Sequence, residues 1–479
     1  STNCIEHVPA RFIFVCLAHI GIIILYGLRV NLSVTMVAML NHTAIMGNVT
    51  EMETVSGECE RPDGQTPGQL ENGPYEWSEP LQGMLLGSFL WGSLVAQIPL
   101  AYVAQMYSAK WVFLCAVTGN VICTLLIPPL VKLHYAGLLA MRIIQGLTGG
   151  AGFPAMHIMI AHWAPQTERL TITSIVYAGT SAGTFYSILM AGLLSKYLGW
   201  EMVFYVMGGL SSIWIPFWVI LIQDNPNKQR FISADEREMI NKSLGTSKEP
   251  FKQPLLPCCK VLKSLPFWAI LIAHSCSNFG WYMYLIEIPF YLKQVLKFEV
   301  SKNALFSSLP YIPSMIFSIV VGRVLDHLQN KGAFFNIFSL FLYFFLGKLN
   351  RTNARKIATA FSSLIPAAML TGLCFVGCHH YLAVALMSIG IIAMGAATAG
   401  FVGNHMDIAP NFAGILIGIT NTVAAIPGIL VAQLAGFVTE GNQTIEAWRI
   451  VFSVAIILLL IEFVVYTVFG SGKKQDWND

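Results

Sequence analysis

Arg29 stands inside an otherwise apolar run, Tyr26-Gly-Leu-Arg-Val-Asn31-Leu-Ser33, and its chemistry is the most pointed in the chain. A guanidinium at membrane depth is costly, so it must face a polar cavity or a partner. Its planar fork matches carboxylate and phosphate, which makes it an anion anchor. Snorkelling to the interface, or a structural pair with an acid, is the plainer alternative. His157, after Phe153-Pro-Ala-Met156, and His274, in Ile272-Ala-His-Ser275, are further ionisable side chains in apolar surroundings. Histidine titrates near neutral pH, so either can relay protons for ion coupling, with hydrogen-bonded packing as the simpler role.

Other spacings look chemical and are not. Gln145-Gly-Leu-Thr-Gly-Gly-Ala-Gly152 lacks the Lys-Ser/Thr and the preceding strand of a phosphate loop; its glycines instead let helices approach closely. Gly179-Thr-Ser181-Ala-Gly183 spells a hydrolase elbow but lies within a helical apolar run, not at a strand-to-helix turn, so no enzyme is expected. Cys374, Cys378, His379 and His380 straddle a helix end without a second ligand pair, so a structural role is expected and no metal. Cys258-Cys259, beside lysines, is a weak palmitoylation signal. No disulfide framework is legible, and Cys59 has no obvious local partner.

The elements that must position these residues are membrane helices. Of 479 residues 55% are hydrophobic and 11% charged, against about a quarter charged in soluble domains. A net charge of +3 gives no basic face for nucleic acid. Apolar stretches of span length occur at 12–37, 81–104, 111–133, 137–157, 171–196 and 202–222. A second series follows at 267–292, 304–325, 357–378, 381–402, 412–437 and 448–469. Hydrocarbon cannot satisfy a free backbone, so each stretch reads as a helix, and the first as a retained span instead of a signal peptide. The fold class is all-α integral membrane, about twelve transmembrane helices in two six-helix bundles.

On this plan 1–222 is the first bundle with an outward loop at 41–80, 223–265 a cytoplasmic linker, 266–470 the second bundle, and 471–479 a cytoplasmic tail. The linker carries eight lysines and arginines between Lys228 and Lys263, the outward loop eight acids against Arg61 alone, as the positive-inside rule requires for cytoplasmic termini. Sequons at Asn41, Asn48 and Asn442 fall on the outward side and are candidate glycosylation sites. Ser233-Ala-Asp-Glu236 is a capping box for a short linker helix. The aromatic-rich run 333–347 is too short to span; it reads either as a tolerated insertion, re-entrant or interfacial, or as a splice or gene-model artefact.

The six-plus-six plan and Gly322-Arg-Val-Leu-Asp326 resemble the major facilitator superfamily and its loop signature. The corresponding first-half turn keeps Lys110 but lacks the usual glycines and acid. More closely, Tyr26 to Ser33, Phe153 to His157, Trp163-Ala-Pro-Gln-Thr-Glu-Arg169, Asn404-His-Met-Asp-Ile-Ala-Pro410 and Ala413 through Asn421 to Gly428 resemble the anion:cation symporters. That family includes sialin, the vesicular glutamate transporters and the sodium/phosphate cotransporters. The resemblance implies that Arg29 holds the substrate anion and that Tyr26, Trp91, Tyr177 and Tyr282 help line the cavity, with Asn421 a further binding candidate. Sialin-like members have glutamates at the positions of Gln145 and Gly149, and glutamate carriers an arginine at that of Ser277.

The resemblance implies a monomeric secondary active transporter of phosphate or an organic anion. With those glutamates absent, sodium is the first expectation for the co-transported cation. Proton-coupled export of acidic sugars or amino acids from lysosomes or vesicles, through His157 or His274, is the second. A transport-inactive receptor or scaffold is the alternative of another class. Plasma membrane and lysosomal or vesicular membrane both remain open.

Overall fold

The structure is a computed structural model that describes residues 9–41, 59, 73–244, 256–298, 305–330, 350–439 and 444–478. The run 333–347 and the sequon asparagines Asn48 and Asn442 lie outside the described residues. Among the described residues the elements are helical, apart from one isolated parallel bridge between Leu40 and Tyr75.

The first half comprises α1 (Ala10–Met39), α2 (Glu79–Met106), α3 (Ala109–Leu133), α4 (Tyr135–Gly149), α5 (Gly152–Trp163), α6 (Arg169–Leu198), α7 (Trp200–Ser212) and α8 (Trp214–Leu221). The linker holds α9 (Ala234–Leu244) and α10 (Cys258–Val261). The second half comprises α11 (Leu265–Tyr282), α12 (Ile288–Gln294), α13 (Tyr311–Asn330), α14 (Arg351–Val376), α15 (His380–Met394), α16 (Phe401–Ile408), α17 (Ala413–Thr439) and α18 (Ile445–Phe469).

Nine runs among the described residues are long and apolar enough to cross a membrane. The pair α4–α5, the helix α6 and the pair α11–α12 complete the expected twelve crossings. These three are rich in glycine, hydroxyl and amide side chains, some packed against neighbouring helices, as Gly146, Gly179 and Gly183 are, and others, such as Thr180, Ser181, Ser277 and Asn278, on a central cavity. Within the first half α1 packs on α6, and α2 and α3 pack on α4; within the second, α11 packs on α17 and α18, and α14 on α15 and α18. The halves meet along α6 with α13, and along α2 and α5 with α17.

Glycine permits the tightest crossing in the first half. A Cβ on Gly146 of α4 would collide with the Phe89 carbonyl of α2, and one on Gly92 of α2 with the Ile143 carbonyl of α4. The expected close approach is therefore real, and it places Phe89 and Arg142 side by side.

Among the described residues, the start of α1, the linker helix α9 and residues 471–478 lie at one end. Ser233 caps α9 through its Oγ, which accepts from Glu236 N at 3.2 Å. The Glu236 carboxylate does not close the box; it accepts from Ala10 N at 2.8 Å and Arg11 N at 3.2 Å, so the linker caps α1. Asp326, the acid of the loop signature, reaches across the seam to the start of α6, accepting from Thr171 N at 2.6 Å and Leu170 N at 3.3 Å. Asp407 of α16 meets three arginines, Arg355 at 2.7 Å, Arg351 at 3.0 Å and, from the first half, Arg169 at 3.6 Å. These contacts hold the two halves together at the end that carries the start of α1 and residues 471–478.

At the opposite end the structure corrects the cysteine reading. Cys59 is bonded to Cys378, 319 residues away, joining the long loop of the first half to the turn between α14 and α15. Local spacing could not reveal a partner contributed by the other half of the chain. Of the Cys/His group at this helix end, Cys378 is thereby taken up in a structural bond.

Candidate functional site

Between the halves lies a cavity of about 170 Å3, more than ten times the room that one water needs (~15 Å3). Such a space suits a small solute. Its lining draws on both halves, so it changes shape whenever they move relative to each other.

Arg29 lines this cavity from α1 and donates to the Tyr282 hydroxyl of α11, a hydrogen bond that crosses from one half to the other. Its guanidinium also sits over aromatic faces, 4.9 Å from the Phe89 centroid, 5.6 Å from Tyr26 and 5.7 Å from Tyr282. Three π faces and a phenol hold the cation, and among the described residues no carboxylate pairs with it. Tyr282 gains its position from the helix itself: α11 ends there and a π-helical turn, Met283–Glu287, follows before α12. Gly428 of α17 leaves room for the Tyr282 ring, which a Cβ would strike.

A second buried arginine, not singled out in the sequence, stands behind the first. Arg142 of α4 is 3% exposed and lies 5.5 Å from the Phe89 centroid. It donates to the Arg29 carbonyl at 2.9 Å and to Gln145 Oε1 at 3.1 Å. Gln145 is held in turn by Thr124 Oγ1 at 2.8 Å. Two guanidiniums against one ring, with an uncharged glutamine beside Arg142 where an acid would neutralise it, make this side of the cavity electropositive. The signal for Arg142 was in the sequence: a lone arginine in the fourth apolar run, as Arg29 is in the first.

Tyr26, Tyr177, Tyr282, Asn421 and His274 join Arg29 on the lining, together with Ser277 and Asn278. Trp91 does not. It is 45% exposed and off the cavity, and the place expected for it is taken by Phe89, with Ser93 and Gln97 further along α2. Of the sequon residues, Asn41 is described, and its amide donates to Glu76 Oε1 at 3.3 Å.

His157 lies behind Tyr177, fully buried. Its Nε2 donates to the Val402 carbonyl of α16 at 3.0 Å, and the Tyr177 hydroxyl donates to its Nδ1. His405 donates to the same carbonyl at 2.9 Å and accepts from Thr420 at 2.9 Å. Thr420 in turn accepts from His274 at 3.1 Å. Three histidines thus converge at the junction of the halves, each with its ring nitrogens bonded within the fold or turned to the cavity.

The chain matches the family model described as Major Facilitator Superfamily over residues 19–432. It is 36% identical over 472 residues to sialin from Homo sapiens, covering 98% of this chain and 90% of that protein. A Drosophila melanogaster protein provisionally named an inorganic phosphate cotransporter is 34% identical, over 98% of this chain and 86% of that one. Vesicular glutamate transporter 1 from Xenopus laevis is 32% identical, over 98% and 76%. With the fold, the paired arginines and these likenesses along both halves, the chain belongs to the major facilitator superfamily and, within it, to the anion:cation symporters.

Proposed function

We propose that this protein is a cation-coupled carrier of a small anion, inorganic phosphate or an organic carboxylate, and not an enzyme. The observation that carries the reading is the placement of Arg29: a guanidinium on a central cavity, backed by Arg142, with no carboxylate among the described residues to neutralise either. Charge of that kind in low dielectric calls for an anion that comes and goes. The relatives named for phosphate and for glutamate agree in substrate charge.

The hydrogen bond from Arg29 to Tyr282 supplies the link between binding and motion. An anion that takes the Arg29 donors frees Tyr282 and so releases a tie between the halves. The halves then rock about the cavity, opening it to one side at a time. A co-transported cation, sodium or proton, offsets the charge moved. The linker and both termini face the cytoplasm on the distribution of lysine and arginine.

The test is flux into liposomes containing the purified full chain, with labelled phosphate or labelled glutamate supplied outside and sodium, proton and voltage gradients imposed one at a time. Accumulation driven by one cation gradient is expected. No flux of either anion under any gradient would leave a receptor or scaffold in its place.

A further inference from the structure

Glu462 of α18 is a carboxyl that nothing in the packing explains. It is wholly buried in the last span, and neither oxygen has a hydrogen-bond partner of normal geometry. One turn earlier Leu459 packs onto Gly280 of α11, and this contact directs Glu462 toward the preceding turn of α11. There it faces Ser277, whose hydroxyl is the hydrogen-bonding group in reach of the carboxyl, with Cys276 beside it. Ser277 also lines the cavity, one turn from His274 and beside Asn278. One serine therefore separates this acid from the space that Arg29 faces.

The charges around it are few. On α11 the titratable side chains are His274, Cys276 and Tyr282; α17 has no charged residue. On α14 Arg351 and Arg355 are both engaged by Asp407, Lys356 shares their end of the helix, and Cys374 lies near the other. On α18 itself Tyr466 lies one turn on, while Glu446 and Arg449 sit at the far end. No described ion pair involves Glu462. A carboxylate buried without a cation, and with one serine hydroxyl as its nearest polar neighbour, neutralises by taking up a proton.

We propose that Glu462 is a proton-binding site coupled to the anion cavity, reached from it through Ser277. The inference rests on the carrier reading above and deepens it by naming the co-ion and its seat. The step is a single proton transfer: a carboxylate oxygen gains a proton from water in the cavity while it is open to one side, and returns it to water once it opens to the other. A second negative charge beside the cavity repels the anion, so protonation favours anion binding and an anion favours protonation, by the same factor. That reciprocity is the thermodynamic content of symport. The histidine chain is not a continuous proton relay across the junction. A proton passed along it stops at the Val402 carbonyl, which accepts from both His157 and His405 and has no proton to give.

The experiment compares wild type with Glu462→Gln, which keeps the shape and the uncharged state, and with Glu462→Asp, which keeps the acid. In liposomes, proton entry is followed by an internal pH dye alongside labelled phosphate or glutamate, and anion exchange is followed without gradients. The expected result is that Glu462→Gln loses proton entry and its uptake falls to the level measured without a pH gradient, while exchange continues and Glu462→Asp keeps proton-driven uptake. Unchanged proton-driven uptake in Glu462→Gln overturns the proposal. Infrared difference spectra give a readout that needs no transport: wild type should show a protonated-carboxyl stretch that Glu462→Gln lacks. Absence of that difference also overturns it. If wild type carries neither anion, it is the carrier reading that fails, and the infrared comparison still decides whether Glu462 holds a proton.

Discussion

Arg142 donates its guanidinium to the backbone carbonyl of Arg29 at 2.9 Å, and both cations lie against the ring of Phe89. The outer arginine faces the cavity and the inner one braces the turn of helix that presents it. Neither is neutralised by a carboxylate among the described residues, so their combined field is available to a ligand.

Replacing Arg29 tests the anchor directly. Arg29→Ala should abolish uptake, and Arg29→Lys should raise KM roughly tenfold or more, because lysine keeps the charge but not the fork and holds Tyr282 less well. Initial rates in liposomes with matched protein insertion check this. Unchanged uptake by both variants removes Arg29 from the site.

Gln145→Glu tests whether the unneutralised pair matters. The new carboxylate would stand where the amide oxygen now accepts from Arg142 at 3.1 Å and would pair with it. Weakening the field by about 1 kcal/mol should raise KM several-fold with little change in the unfolding temperature. A KM equal to that of wild type would mean that Arg142 is purely structural.

Asp407→Asn strips three arginines of their common partner, one of them from the other half. Buried cations left without an acid destabilise by about 3–5 kcal/mol. The unfolding temperature in detergent should drop, and a cysteine introduced beside Arg169 should become more reactive as the halves part at that end. Retention of both properties would show that the contact does not hold the halves together.

Cys378→Ser opens the bridge to Cys59. Loss of a tether between distant segments should cost about 2–4 kcal/mol, seen as a lower unfolding temperature, and wild type should shift to the same value under reductant. A mutant as stable as the oxidised wild type, and indifferent to reductant, would contradict a structural role for the bond.

How far the sequence could be read follows the range of the forces involved. Lipid obliges each span to satisfy its own backbone, so a span is a local property of some twenty residues, about one bilayer thickness of helix. That is why the crossings, and Arg29 as a cation that must meet a cavity, were legible in the chain.

Which face of a helix turns inward is another matter, because it depends on the neighbour. Phe89 and Trp91 are two positions apart, so their side chains diverge by about 200° around α2. Gly92 and Gly146 fixed the rotation that brought Phe89 to the arginines and left Trp91 outside. The partner of Cys59 and the three arginines of Asp407 were likewise unreadable in advance, since each joins segments far apart in the chain. Hydropathy thus wrote the spans and the identity of their lone charges. Only close packing of helix on helix decided which of those charges meet across the cavity, because contact energies act over a few ångströms between residues that the chain order keeps apart.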